Sequence, residues 1–266
     1  MEKPIGVFDS GIGGLTVVKE LIKLLPYENL VYFGDTARVP YGVKSRETII
    51  KFSLENTLFL LQHNVKMIVV ACNTSSSLAL PFIRQHFKIP IIGVILPGAK
   101  EAVYATKNGR IGVIGTRATI NSGAYEQEIK RLDSGVKVFS AACPMFVPIV
   151  EENWVNDDVA LRVAEKYLMP LKAKKIDTLI LGCTHYPLLK PKIQAIVGKG
   201  VRLIDSAQQV ASEVRQVLIQ EGLLNKQTVK ATRDYFVSDE VAIFANVASR
   251  FLGSRLLSIK KAQAYA

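Results

Sequence analysis

Short, unbroken apolar runs alternate with amphipathic helical stretches along almost the whole chain, and this alternation constrains the fold most. The runs lie at 5–8, 30–33, 67–70 and 89–95, with helical periodicity between them at 15–25 and 45–62. The pattern resumes with runs at 110–114, 136–139, 178–181 and 202–204. Helical stretches intervene at 118–132, 157–171 and 208–221, and a last one covers 241–257. Apolar residues at three- and four-residue steps build a helix face, and short continuous runs between them read as strands. Strands apolar on both faces and flanked by helices form parallel sheets covered on both sides.

The strands are too many for one simple sheet, so the expected class is α/β with two similar domains. Their mainly parallel sheets would be related by a pseudo-twofold axis. The pair Pro97-Gly98 interrupts the pattern and predicts a boundary near Leu96. A return crossing is expected near 205–207. The first domain then comprises 1–96 plus 208–266, and the second 97–207. An internal echo supports duplication. Val69-Val70-Ala71-Cys72-Asn73-Thr74 matches Ile180-Leu181-Gly182-Cys183-Thr184-His185 in its order of apolar, small, thiol and polar residues.

Composition removes several functional classes. With 49% hydrophobic and 21% charged residues and no low-complexity tract, disorder is expected only near 260–266. Three widely spaced cysteines give neither a disulfide framework nor metal-ligand spacing, so no metal is expected. The net charge of +11 comes from scattered basic residues without a helix-turn-helix or aromatic RNA-binding motif, so no nucleic-acid partner is expected. The longest apolar run, 89–99, is too short to span a membrane and holds Pro90 and Pro97. No basic leader precedes the first strand, and a cytoplasmic location is the expectation.

Ligands of open parallel sheets bind beyond the carboxyl ends of the strands. That rule selects Asp9-Ser10, Asp35, Cys72-Asn73-Thr74, Thr116, Cys183-Thr184-His185 and Asp205-Ser206. Cys72 and Cys183 carry two readings. Free cysteines often serve as small buried hydrophobes. Placed alike in two units beside polar groups, they also suit thiolate chemistry. Cys143, followed by Pro144, is assigned to packing. His63 and His86 fall on helical stretches, whereas His185 stands two residues from Cys183, with an ordinary pKa suited to proton exchange.

Asp9 precedes Ser10-Gly11-Ile12-Gly13-Gly14, a loop whose amides suit an anion. Thr16 replaces the last glycine of a dinucleotide fingerprint, so a nucleotide cofactor is weakly supported. Tyr41-Gly42 reads either as a simple turn or as a backbone and hydroxyl contact to a substrate carboxylate.

Five ordered motifs resemble one family, the glutamate racemases within the aspartate/glutamate racemase superfamily. They are Gly6-Val7-Phe8-Asp9-Ser10-Gly11-Ile12-Gly13-Gly14-Leu15-Thr16-Val17 and Tyr32-Phe33-Gly34-Asp35-Thr36-Ala37-Arg38-Val39-Pro40-Tyr41-Gly42. Ala71-Cys72-Asn73-Thr74, Gly115-Thr116-Arg117-Ala118-Thr119 and Leu181-Gly182-Cys183-Thr184-His185-Tyr186-Pro187-Leu188 follow. The resemblance covers nearly the whole chain.

It implies a site in the cleft between two α/β domains and no cofactor. Cys72 and Cys183 would be the two bases, assisted by Asp9 and His185. Ser10, Tyr41, Gly42, Asn73, Thr74, Thr116, Thr119 and Thr184 would hold glutamate. The family's additional glutamate corresponds to Glu151 or Glu152, and the sequence leaves both open. The resemblance further implies D-glutamate supply for peptidoglycan and allows a homodimer with no interface marked. With eight residues ahead of Asp9, an activating N-terminal extension is not expected.

Two opposed acid–base groups explain why such chemistry would need paired thiols. One removes the α-proton from one face of the carbon and the other returns a proton to the opposite face. Three alternatives stay open on the sequence: a racemase for aspartate or another small acidic compound, a pyridoxal enzyme, and a non-catalytic α/β binding protein.

Overall fold

The computed structural model describes residues 2–227, 229–253 and 258–264. The chain opens with β1 (Ile5–Asp9), α1 (Leu15–Leu24), β2 (Leu30–Gly34), α2 (Arg46–Gln62), β3 (Met67–Val70), α3 (Asn73–Leu78), α4 (Leu80–His86) and β4 (Ile91–Gly93). It continues with α5 (Ile95–Ala105), β5 (Arg110–Gly115), α6 (Arg117–Asn121), α7 (Ala124–Leu132), β6 (Lys137–Ala142), α8 (Phe146–Glu151), α9 (Asp158–Ala173), β7 (Thr178–Gly182), α10 (Lys190–Val197) and β8 (Arg202–Ile204). It closes with α11 (Ala207–Gln220), β9 (Arg233–Val237), α12 (Val241–Leu252) and β10 (Lys260–Lys261).

These strands form two parallel sheets. The larger has six strands in the order β10-β9-β2-β1-β3-β4, and the smaller has four in the order β6-β5-β7-β8. The segments β2-β1-β3-β4 and β6-β5-β7-β8 therefore share one topology. In each, the first strand of the unit is central and its two neighbours continue in opposite directions, which opens a crevice at the carboxyl ends. Registers agree as well. Phe8 pairs with Val70 across β1 and β3, and Ile114 pairs with Leu181, the equivalent of Val70 in the echo, across β5 and β7. Two units of one topology are the pseudo-symmetric α/β architecture expected from the internal echo.

Central strands are buried throughout, which explains their unbroken apolar sequence. Along β1, Ile5 and Val7 join the larger core while Phe8 joins a second core on the other face. Each such side chain contributes about 1.5–3 kcal/mol on leaving water. Ser45 caps α2 by accepting from Thr48 N at 3.3 Å, and Asp157 caps α9 through Val159 N at 2.8 Å.

After β8 the chain returns to the first sheet. Helix α11 packs against α1, β9 adds beside β2, and α12 packs on α1. A buried ion pair pins this return. Lys66 Nζ lies 2.6 Å from Glu28 Oε2 and donates to the Leu223 carbonyl at 2.7 Å. Asn225 N donates to the other Glu28 oxygen at 2.7 Å.

Several local expectations are corrected. Pro97-Gly98 lies inside α5 rather than in a linker, because proline fits a first helical turn where its missing N–H has no partner to lose. The expected helix 118–132 is two helices, split where Gly123 adopts φ 67°. Strand β9 carries no unbroken apolar run and was not expected. The expected stretch 241–257 ends as α12 at Leu252, followed by Gly253 at φ 78°, and 254–257 lie outside the described residues. Lys260 and Lys261, expected to be disordered, pair with Phe236 and Val237, while 265 and 266 lie outside the described residues.

Candidate active site

The carboxyl ends of the two sheets face one cavity of about 340 Å³. Ser10, Tyr41, Gly42, Cys72, Asn73 and Thr74 line it from the first sheet's elements. Thr116, Glu151, Cys183, Thr184 and His185 line it from the second's. Pro144, Val147 and Pro148 close an apolar wall, and Arg117 adds a cation. The apolar wall left no motif in the sequence.

Both cysteines sit within two residues of their strand ends, at corresponding places after β3 and β7. Both are nearly closed to solvent, at 5% and 7% exposure. Their companions differ. Burial and the neighbouring Asp9 charge push the Cys72 thiol up to about 11, against opposing contacts from Ser75 and Ser10. Cys183 instead has His185, whose Nδ1 stands 3.9 Å from its sulfur.

The other imidazole nitrogen, Nε2, lies 2.9 Å from Glu151 Oε1. Burial disfavours the imidazolium, but hydrogen bonds and charges from Cys183 and Glu151 outweigh it and raise His185 to about 10. Of the two adjacent glutamates, Glu151 is the one that lines the cavity. Glu152, at the end of α8, is exposed and lines no part of the cavity.

Asp9 is fully buried one layer behind the cavity wall. One oxygen accepts from Gly11 N at 3.1 Å, and among the described residues Oδ1 meets no hydrogen-bond partner. Burial raises this carboxyl above its ordinary range, opposed first by the His185 charge and then by the amides of Gly14, Gly11 and Ser10.

The glycine loop after β1 does not present an anion cradle to the cavity. Its Gly11 amide serves Asp9, and only Ser10 of the loop reaches the cavity. Gly13 lets the two sheets' elements approach. A methyl group there would stand 2.2 Å from Thr184 Oγ1 and 2.6 Å from His185 Nδ1.

Tyr41 lines the cavity, yet its hydroxyl is engaged within the protein. It donates to Asp35 Oδ2 in a short contact and accepts from Asn56 Nδ2 at 3.1 Å. Asp35 also accepts from Arg38 Nε at 2.7 Å and Ser238 Oγ at 3.0 Å. This buried network anchors the 36–43 loop. The hydroxyl contact expected for Tyr41 is therefore corrected, because the group is already spent inside the protein. Asn56 and Ser238 carry no sequence signal for this role.

Hydroxyls knit the seam between the halves. Thr74 Oγ1 lies 3.0 Å from Thr116 Oγ1, which lies 3.0 Å from Thr119 Oγ1. Thr119 is buried behind this wall and supports it rather than lining the cavity. Thr116 also caps α6, accepting from Thr119 N at 3.2 Å. Asp205 lies elsewhere, paired with Lys190 at 2.9 Å.

From the returning segment, the Phe251 ring meets the His185 ring edge-on at 5.5 Å, and Arg250 donates to the Val150 carbonyl at 3.3 Å. Among the described residues, no group of three or more His, Cys, Asp or Glu side chains is placed to hold a metal ion. No helix among them is long and apolar enough to cross a membrane.

Comparison with known proteins places this geometry in a family. The model of the Asp/Glu/Hydantoin racemase family matches residues 5–214. A glutamate racemase of Geobacter metallireducens is 51% identical over 254 residues, covering 96% of this chain and 94% of that protein. The crystal structure of glutamate racemase isoform RacE1 from Bacillus anthracis superposes with a TM-score of 0.95 at 41% identity, covering 98% of this chain and 97% of that one. That of the Francisella tularensis glutamate racemase in complex with D-glutamate gives 0.93 at 40% identity, covering 99% and 98%. On its sequence and its fold, the chain belongs to the Asp/Glu/Hydantoin racemase family.

Proposed function

We propose that this protein interconverts L- and D-glutamate, with Cys72 and Cys183 as opposed bases. The observation that carries the reading is one cavity lined by both thiols from corresponding positions of two like sheets. The relatives named glutamate racemase, and the D-glutamate in the Francisella tularensis structure, support the choice of substrate.

In this mechanism the Cys183 thiolate rests beside the His185 imidazolium, and Cys72 rests as a thiol. The Cys183 sulfur takes the α-proton from one face, so a C–H bond breaks and an S–H bond forms. The electron pair left on carbon takes the Cys72 proton from the opposite face. Cys72 ends as thiolate and Cys183 as thiol. The opposite enantiomer uses the reversed pair of protonation states. To reset, the imidazolium releases a proton to solvent and takes the one left on Cys183, while Asp9 in its protonated form gives its proton to Cys72 and is reprotonated from solvent. Such assistance is typically worth about 10²–10⁴-fold.

The α-proton is weakly acidic, so the developing charge needs fixed donors in a site closed to water. Hydroxyls of Ser10, Thr74, Thr116 and Thr184, the Asn73 amide and the Gly42 backbone would hold the carboxylates and amine. Thr119 and Tyr41 would act from behind. We further assign 1–96 with 208–266 to one domain and 97–207 to the other. The D-glutamate formed would feed peptidoglycan synthesis, with the protein cytoplasmic and self-associating as a homodimer.

Each enantiomer incubated separately in D₂O tests the scheme by mass spectrometry and chiral chromatography. The expected early result is deuterium at the α-carbon of the inverted product and protium in unconverted substrate. Inversion without solvent deuterium sinks the two-base reading. Inversion of L-aspartate in preference to L-glutamate sinks the substrate assignment.

A further inference from the structure

Tyr125 on α7 belongs to the second sheet's elements, yet its hydroxyl crosses to the first. It donates to Asn73 Oδ1 at 2.7 Å, and the residue is 3% exposed. The ring packs beside two glycines, more tightly against Gly182 than against Gly98. A methyl group on Gly182 would stand 3.1 Å from the ring, and one on Gly98 would stand 3.4 Å from it. Gly182 is the residue before Cys183, and Asn73 is the residue after Cys72.

An amide has one acceptor oxygen and one donor nitrogen, so engaging the oxygen fixes which end the rest of the site meets. With Oδ1 held by Tyr125, the NH₂ of Asn73 is the end left for the cavity that Asn73 lines. Among the described residues, no protein acceptor takes those hydrogens. An anionic substrate is the acceptor they fit.

We propose that Tyr125 is a positioning residue for the racemase reaction, holding the Asn73 amide so that its NH₂ faces the substrate carboxylate. The inference rests on the glutamate reading above. Tyr125 thereby couples the backs of both cysteine segments, through a hydrogen bond on one side and ring packing against Gly182 on the other.

The test is Tyr125→Phe, which keeps the ring in place and removes only the hydroxyl, measured beside wild type, Asn73→Ala and the double variant. A freed amide turns, and the substrate loses an oriented donor equally in ground and transition states. The expected result is a KM for glutamate raised about tenfold with kcat changed less than about threefold. In the Asn73→Ala background the same change leaves KM within about twofold, because the group it positions is gone. Two results overturn the proposal: an unchanged KM in Tyr125→Phe, or an equal rise in both backgrounds. If Tyr125→Phe fails to fold, Asn73→Asp keeps an acceptor for the Tyr125 hydroxyl and replaces the NH₂ by oxygen, so it should raise KM, and an unchanged KM there overturns the proposal. Wild type that does not invert glutamate overturns the underlying reading instead.

Discussion

Cys183 and His185 form a thiol–imidazole pair, with sulfur and Nδ1 3.9 Å apart. Glu151 holds the opposite ring nitrogen and so presents Nδ1 to the sulfur. Across the cavity Cys72 lacks such a cation and has the buried Asp9 carboxyl instead. The two thiols are alike in placement and unlike in the groups beside them. The inversion scheme gives each of its two bases a different resting state for this reason.

This asymmetry sets a pH profile. His185 is raised to about 10 and Cys72 to about 11. Below these values the imidazolium and the Cys72 thiol are both present. As pH rises through about 10 the imidazolium loses its proton, and Cys72 follows. The rate kcat/KM for glutamate should hold from neutrality to about pH 9 and fall between about 10 and 11. A fall beginning near pH 7 would contradict the pairing.

Each cysteine is expected to be indispensable. Cys72→Ala and Cys183→Ala should each lower racemisation by at least about 10³-fold, with unchanged circular dichroism, because one face of the carbon loses its proton carrier. Polarimetry under saturating glutamate reads the outcome. A single variant with wild-type turnover removes the two-base scheme.

The two adjacent glutamates should behave differently. Glu151→Gln removes the charge that helps keep His185 protonated, so the alkaline limb should move to lower pH and kcat should fall about 10²-fold. Glu152→Gln changes an exposed side chain and should leave both within about twofold. Steady-state profiles of the two variants, run side by side, decide this.

Tyr41→Phe should act on stability rather than on binding. It leaves Asp35 and Asn56 without the phenol they share, a loss of about 1–3 kcal/mol for buried polar groups. The midpoint of urea unfolding should drop while KM stays within about threefold. A large rise in KM at unchanged stability would return the hydroxyl to the substrate.

Gly13→Ala should force Thr184 and His185 out of place, since the added carbon has no room. Misplacement by about 1 Å costs about 10²-fold in rate. The measured kcat should fall accordingly, whereas Gly200→Ala, where nothing lies within 4 Å, should leave kcat unaltered.

The central strands were legible because burial on both faces leaves an unbroken apolar signature, as in β1, β3 and β7. Strand β9 was not, because Arg233, Asp234 and Tyr235 mix charge with aromatic character near the sheet edge. It becomes a strand only when β2 offers a partner. Cys72, Cys183 and His185 were readable from their place after strands. The choice of Glu151 over Glu152 depends on the direction in which α8 ends, which neighbouring identical residues cannot encode. Tyr41 misled for a related reason. Its partners Asn56 and Ser238 are distant in sequence, and only the folded chain shows the phenol turned inward. The roles of Gly13 and Tyr125 likewise arise where separate elements touch.

The shared strand order of the two sheets carries a last implication. Left- and right-handed forms of a free amino acid have equal free energy, so a catalyst of their exchange gains nothing from favouring one. A repeated unit facing its own likeness supplies that impartiality at the level of the backbone. Divergent neighbours then decide only where the spare hydrogen waits between visits by the two mirror forms.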